Sequence, residues 1–184
     1  MKKKIIITGG LGYIGTELCK LYSGVSWHHE IIVIDNRFIS ERVNQIRNWN
    51  MEFVQGDILD MDLIENYFKD VDVVHHLAGI TDVPRTKSEA LKSQDEKIKE
   101  VGEKGTQNIL KVISDKCKII FPSTHVVYEG IDEVRTDIKE NEPTKPVLSY
   151  SSSKATNENQ LKKSGKNYVI LRLGSVYGYS TDSM

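Results

Sequence analysis

The sequence predicts an α/β fold: a doubly wound parallel sheet, Rossmann-like, with helices on both faces. Three observations predict it. Short β-branched strands alternate with helical patterns almost throughout, which calls for a parallel sheet with right-handed crossovers. A glycine loop, Thr8-Gly9-Gly10-Leu11-Gly12-Tyr13-Ile14-Gly15, follows the first strand and opens the first helix. Further on, Tyr150-Ser151-Ser152-Ser153-Lys154 places a phenol and an ammonium on one helix face.

The elements follow in order. Lys4 to Thr8 is short, apolar and β-branched, as a buried parallel strand is. Tyr13 to Tyr22 carries Ile14, Leu18, Leu21 and Tyr22 at helical spacing and stops near Gly24. Ile31 to Ile34 is a second strand, ended by Asp35-Asn36, and Glu41 to Arg47 a short helix. Glu52 to Gln55 is a third strand with Gly56-Asp57 as its turn, and Asp60-Met61-Asp62 caps a helix through Phe68. Val71 to Leu77 is a fourth strand, followed by Ala78-Gly79. Ser88 to about Ser114 reads as one long polar helix with Val101, Ile109, Leu110 and Val112-Ile113 facing in. Lys118 to Phe121 is a fifth strand. A loop holding Ser123-Thr124 then runs on through Glu142-Pro143 and Pro146. Ser149 to Lys163 is a helix and Tyr168 to Leu173 a sixth strand.

Composition narrows the class. The chain has 184 residues, 39% of them hydrophobic, enough for one α/β core and too little for two. A formal net charge of −1 gives no field that would draw nucleic acid or an anionic membrane. No apolar run is long enough for a transmembrane helix. The apolar stretch after Met1-Lys2-Lys3-Lys4 is too short for a signal peptide and reads as the first strand. Cys19 and Cys117 read as reduced core residues of a cytoplasmic protein.

The glycine loop is built for a dinucleotide pyrophosphate. The early glycines, Gly9 among them, allow a tight turn. Gly12 lets the backbone approach the phosphates, and Gly15 lets the helix pack closely. The helix N-terminus, at Tyr13 and Ile14, then offers N–H groups and partial positive charge. Asp35 stands 20 residues after Gly15 at the end of the second strand. There a carboxylate would accept hydrogen bonds from the adenine ribose and repel a 2′-phosphate, which favours NAD; Arg37 nearby leaves NADP open. Asn36, Asp57 and Ile58 fall where the adenosine would lie, although Asp57 reads equally well as a plain turn residue. Leu77, Ala78 and Gly79 would let the backbone approach the middle of the cofactor, with an ordinary turn as the alternative.

A free tyrosine, with a pKa of about 10, is a poor base at neutral pH. The Lys154 ammonium and the positive nicotinamide ring would both favour the Tyr150 phenolate, which could take a proton from a sugar hydroxyl as hydride leaves for NAD. Ser123 or Thr124, at the carboxyl edge of the sheet, could hydrogen-bond the same oxygen. His75-His76 suggests a metal site only superficially, because adjacent strand residues point to opposite faces; no metal is expected. Pro84-Arg85-Thr86-Lys87 reads as a solvated loop rather than a phosphate clamp.

With these motifs in place, the chain resembles the N-terminal part of an extended short-chain dehydrogenase/reductase of the NAD-dependent sugar epimerase/dehydratase family. The likeness covers essentially all 184 residues. It rests on Thr8–Gly15, Asp35, Gly56-Asp57, His76-Leu77-Ala78-Gly79, Ser123-Thr124 with Val127-Tyr128, Tyr150/Lys154, and Leu171-Arg172 leading to Val176-Tyr177-Gly178. The resemblance implies Thr124 as the catalytic hydroxyl, Tyr150 as base and Lys154 as its partner, with NAD as cofactor, a nucleotide sugar as substrate, and Ser123, Tyr150 and Lys154 also touching the cofactor. It implies that residues 1–184 are the NAD-binding Rossmann domain of a longer enzyme, with the C-terminal substrate lobe absent. It further implies a homodimer through a four-helix interface made by Ser88–Ser114 and Ser149–Lys163.

This sequence departs from the family in four places. Thr124 is followed by His125-Val126, where dehydratases carry Asp-Glu and decarboxylases a Glu two residues on, which favours epimerisation. His125 either touches substrate or faces the other side of the loop; the second reading is preferred. Gly102 stands where the family has Asn, which predicts a weak point in the long helix. Glu129 replaces the usual glycine after Val-Tyr. The expected activity is NAD-dependent nucleotide-sugar epimerisation by transient hydride transfer. The alternatives are a nucleotide-sugar reductase or dehydratase, and a non-catalytic NAD-binding module.

Overall fold

The computed structural model describes residues 2–81 and 92–178. The predicted helix start at Ser88, the Pro84–Lys87 loop and Asp182-Ser183-Met184 lie outside the described residues.

Six parallel strands make one sheet: β1 Lys4–Thr8, β2 Glu30–Asp35, β3 Glu52–Gln55, β4 Val73–His76, β5 Lys118–Thr124 and β6 Asn167–Leu173. Their spatial order is β3-β2-β1-β4-β5-β6. The helices are α1 Tyr13–Tyr22, α2 Ser40–Asn48, α3 Met61–Phe68, α4 Lys92–Lys99, α5 Gly105–Val112 and α6 Ser149–Lys163. The chain winds outward from β1 in one direction, then crosses to β4 and winds the other way. That reversal opens a crevice at the carboxyl ends of β1 and β4, where ligands bind in such sheets.

The strand residues alternate between two apolar layers, as a period of two requires. Ile6, Ile32 and Ile34 join Ile64, Phe68, Ile109, Ile119 and Leu161 on the face covered by α3, α5 and α6. Ile5, Ile7, Ile31 and Val33 join Leu11, Cys19, Val43 and Ile46 on the face covered by α1 and α2. Cys19 and Cys117 are free and buried, and burial pushes their thiols up to about 12 and about 11.

Two elements differ from expectation. The fifth strand runs on through Ser123 and Thr124, which were expected in a loop, because β6 pairs with it as far as Thr124↔Leu173. Pro122 does not stop it. The β4 pairing ends at His75↔Ile120, so the missing proline N–H costs no bond on that side. The long polar helix is not continuous: between α4 and α5, Glu100–Lys104 widens into a π-helical turn centred on Gly102. A Cβ on Gly102 would stand 2.5 Å from Ser153 Oγ, so the glycine lets α6 lie close at this turn.

Candidate functional site

The glycine loop leaves β1 at the crevice. Gly9 has φ +68°, and a Cβ there would meet Ala78 N at 2.7 Å. Only glycine suits both the backbone and the close approach of the segment after β4. Gly9 N–H donates to Ile34 O at 2.7 Å, which ties the loop to β2. A Cβ on Gly15 would meet Gly9 O at 2.3 Å, so the start of α1 rests on the loop itself rather than on the strand. Gly12 is the N-cap of α1, and no side chain caps it. The first N–H groups of α1, beginning at Tyr13 and Ile14, therefore lack a side-chain acceptor. Together with the glycine cradle, they fit a pyrophosphate.

Asp35 ends β2 with its carboxylate buried. Oδ2 accepts from Leu11 N at 3.0 Å; Oδ1 accepts from Arg37 N at 3.0 Å and Arg37 Nε at 3.2 Å. Arg42, which the sequence did not single out, is buried and donates from Nη1 to Leu11 O. Asn36 reaches across to Asp57, Nδ2 to Oδ2 at 3.4 Å, and Asp57 Oδ1 accepts from Leu59 N at 2.9 Å. Asp57 thus closes its own turn and links the carboxyl ends of β2 and β3. The Ile58 side chain is buried, and a Cβ on Gly105 would meet its Cδ1 at 2.3 Å, so only the Ile58 backbone remains for the crevice. Asn108, also missed in the sequence, donates to Ile58 O at 3.2 Å.

A buried hydroxyl–imidazole chain forms the floor between β1, β4 and α5. Ala78 N–H donates to Thr8 Oγ1 at 3.1 Å, and Thr8 Oγ1 lies 3.0 Å from His76 Nδ1. His76 Nε2 lies 2.9 Å from Thr106 Oγ1, which donates to Gly102 O at 2.7 Å. Since Thr106 spends its proton on Gly102, it must accept from Nε2–H, and Nδ1 must accept from Thr8. Burial, and then the charge of Lys154, push His76 down to about 3, so the ring is neutral. His75 points the opposite way and meets Tyr22 Oη at 2.8 Å. Among the described residues, no group of three or more His, Cys, Asp or Glu stands where it could hold a metal ion.

Tyr150 and Lys154 lie near the start of α6. Lys154 Nζ donates to Pro122 O at 2.9 Å, lies 4.5 Å from the Phe121 ring centroid and 5.9 Å from that of Tyr150. Burial lowers the ammonium pKa to about 8. Burial also raises the Tyr150 phenol above its ordinary value. The lysine is thus turned to Pro122 O and the Phe121 ring, and burial favours the protonated phenol. Thr124 is buried at the end of β5 and accepts from Val126 N at 3.3 Å. Ser123 faces elsewhere: its hydroxyl donates to Glu158 Oε1 at 2.6 Å. His125 Nδ1 lies 3.2 Å from Leu173 O.

Two carboxylates hold α6 in place. Glu158 is buried and takes Arg172 Nε and Nη2 at 2.9 and 2.6 Å. Burial alone would raise its pKa, but the hydrogen bonds from Arg172 and Ser123 outweigh that and lower it. Glu129 Oε1 accepts from Val147 N and Leu148 N, each at 2.7 Å, and from Ser151 Oγ. The residue that departs from the family's glycine therefore anchors the start of the helix carrying Tyr150. Helical spacing alone could have flagged Glu158, four residues beyond Lys154; nothing local marked Glu129.

Comparison with known proteins fits this geometry. The sequence pattern of the NAD dependent epimerase/dehydratase family matches residues 5–184. A dTDP-D-glucose 4,6-dehydratase of Dictyostelium discoideum is 30% identical over 96% of this chain and 44% of its own length. A UDP-glucose 4-epimerase of Streptococcus mutans is 30% identical over 97% of this chain and 53% of its own. The crystal structure of UDP-glucuronic acid 4-epimerase from Bacillus cereus in complex with NAD superposes with a TM-score of 0.78 at 28% identity, over 95% of this chain and 57% of that one. The chain thus spans about half the length of the relatives it matches.

Proposed function

The chain belongs to the NAD-dependent epimerase/dehydratase family, and from that premise we propose that residues 1–184 are the NAD-binding part of a longer nucleotide-sugar epimerase. One observation carries this reading. The uncapped N-terminus of α1, at the end of β1, and the Tyr150–Lys154 pair, bonded to the end of β5, flank β4 at one edge of one sheet.

In this reading Gly9, Gly12, Tyr13, Ile14 and Gly15 hold the pyrophosphate. Asp35 and Asn36 lie at the adenosine, with Asp57 and the Ile58 backbone, and Leu77, Ala78 and Gly79 face the middle of the dinucleotide. NAD supplies a reversible hydride acceptor. The protein's own work is positional and protolytic. Tyr150 takes the proton of the sugar hydroxyl, and the Thr124 hydroxyl holds that oxygen. Lys154, in its charged form, stabilises the phenolate once it turns from Pro122 toward the ring. Because burial raises the phenol, proton abstraction depends on cationic charge arriving beside Tyr150 when cofactor and substrate bind. Ser123 supports the site indirectly, through Glu158.

The absence of acidic residues at His125-Val126 favours epimerisation over dehydration, although dehydratases are among the relatives. We place the protein in the cytoplasm, as a homodimer through α6 and the segment from α4 to α5. No helix among the described residues is long and apolar enough to cross a membrane.

The test is Tyr150→Phe, with NAD binding and turnover of UDP-glucose measured together on the full-length protein. Turnover should fall by about 10³-fold or more while NAD binding is kept. Turnover that survives sinks the role of Tyr150; loss of NAD binding from the unsubstituted chain sinks the cofactor reading.

A further inference from the structure

The helix that carries Tyr150 begins without a cap of its own. Leu148 stands at its N-cap position with no capping side-chain hydrogen bond, and the first turn of α6 holds no acidic residue. Helices usually start with a side-chain acceptor there, and a carboxylate nearby favours the positive end of the helix dipole. Glu129 supplies that carboxylate from another segment. Its Oε1 accepts from Val147 N and Leu148 N at 2.7 Å each, and from the hydroxyl of Ser151, the residue after Tyr150.

Glu129 is tied just as closely to Thr124. The two residues are the caps of one short 3₁₀ turn, His125–Tyr128. Thr124 Oγ1 accepts from Val126 N at 3.3 Å, and Glu129 N–H donates to Val126 O at 3.1 Å. The chain then makes a long excursion and returns beside the same turn, where Gly130 N–H donates to Lys145 O and Lys145 N–H to Val127 O, each at 2.8 Å. Glu129 stands at the neck of that loop. It joins the turn that begins at Thr124 to the helix turn that contains Tyr150. The rest of α6 is fastened farther along, by Lys154 on Pro122 O and by Glu158 on Ser123 and Arg172. A carboxylate that fixes the first turn can therefore change where the phenol points without unseating the helix.

Resting on the reading of Thr124 and Tyr150 as hydroxyl and base, we propose that Glu129 is a positioning residue for the reaction. Through the first turn of α6 it sets the spacing between the Thr124 hydroxyl and the Tyr150 phenol, so that both meet one substrate oxygen. It works through its acceptor oxygen and touches neither substrate nor cofactor. Misplacing a reacting group by about 1 Å can slow a reaction by about 10²-fold.

The experiment is steady-state turnover of UDP-glucose by the full-length protein, comparing Glu129→Ala and Glu129→Gln with the unsubstituted chain. Each is also titrated with NAD⁺ by calorimetry, well below its Tm. Glu129→Ala should lower kcat by about tenfold or more and leave KM and NAD⁺ affinity within about twofold. Glu129→Gln, which keeps the acceptor oxygen, should recover kcat to within about threefold. In a Tyr150→Phe background Glu129→Ala should add less than about twofold, because its effect passes through the phenol. If Glu129→Ala melts earlier but keeps its kcat, Glu129 is only structural and the proposal falls, while the epimerase reading stands. Losses of KM and NAD⁺ affinity in step with kcat overturn it as well, and so does a Gln variant no better than Ala. Should Glu129→Ala not fold, Glu129→Asp decides: its shorter reach should lower kcat by about fivefold, and an unchanged kcat overturns the proposal. If the unsubstituted chain does not turn over UDP-glucose, the proposal falls together with the epimerase reading.

Discussion

Glu158 on α6 and Arg172 on β6 form a two-point ion pair: Nε lies 2.9 Å from Oε1 and Nη2 2.6 Å from Oε2, with the carboxylate side chain only 1% exposed. Lys162 lies 3.3 Å from the same carboxylate, and Ser123 donates to it from β5. The Glu158 carboxylate therefore pins the helix bearing Tyr150 and Lys154 to two strands at once.

Removing one partner should strand the other in the interior. Arg172→Ala should cost about 3–5 kcal/mol in urea denaturation. The pair also sets an acid limit. Folding lowers the Glu158 pKa, so its contribution is complete above the ordinary glutamate value of about 4.3 and is lost as pH falls through the lower folded value. Glu158→Gln should flatten that part of the stability–pH curve.

Gly15→Ala should damage the cleft more than the core. The new methyl would meet the Gly9 carbonyl and Gly10 Cα, which are backbone and cannot rotate away. Overpacking of this kind costs about 1–3 kcal/mol. Because the loop itself must move, NAD affinity should fall by more than the stability loss suggests. Calorimetric titration beside thermal unfolding would separate the two.

Glu129→Ala should loosen the entry to α6 by about 1–3 kcal/mol, since two backbone N–H groups and one hydroxyl lose a charged acceptor. Glu129→Gln, which keeps an acceptor oxygen, should lose less. Hydrogen exchange at Val147 and Leu148 would report the difference residue by residue.

Lys154 titrates near 8, below the roughly 10.4 expected of an unfolded lysine. Between those values the unfolded chain binds more protons, so this group makes the protein more stable as pH rises. Compared with Lys154→Met, the natural chain should gain about 1–3 kcal/mol of relative stability between pH 8 and about 10.4. Equal slopes for the two proteins would mean that the ammonium is not desolvated.

The fold was legible because it depends on local periodicity. The isoleucines of β1 and β2, the Asp60 cap of α3 and the glycine loop each announce themselves within a few residues. What escaped depends on partners far along the chain. Ser123 and Thr124 looked like loop residues because the strand that pairs with them lies some fifty positions later. Gly102 looked like a defect until Ser153 of α6 was seen against it. Glu129 looked like a lost glycine, yet its acceptor role is defined by Val147, Leu148 and Ser151. The Tyr150–Lys154 spacing was readable. The direction of the lysine, toward Pro122 O, was not, because that carbonyl stands 32 positions earlier in the chain, on β5.

The hydroxyl–imidazole chain beneath the cleft has a single sense. Read from the Gly102 carbonyl through Thr106, His76 and Thr8 to the Ala78 amide, each donor and acceptor is dictated by the one before it. No mirror arrangement with every proton reversed is available, because an amide can only give and a carbonyl can only receive. The floor is thus a one-state device. Whatever flexing admits a ligand falls to the rim, to the exposed arginine at one end of the crevice and the lysine at the other.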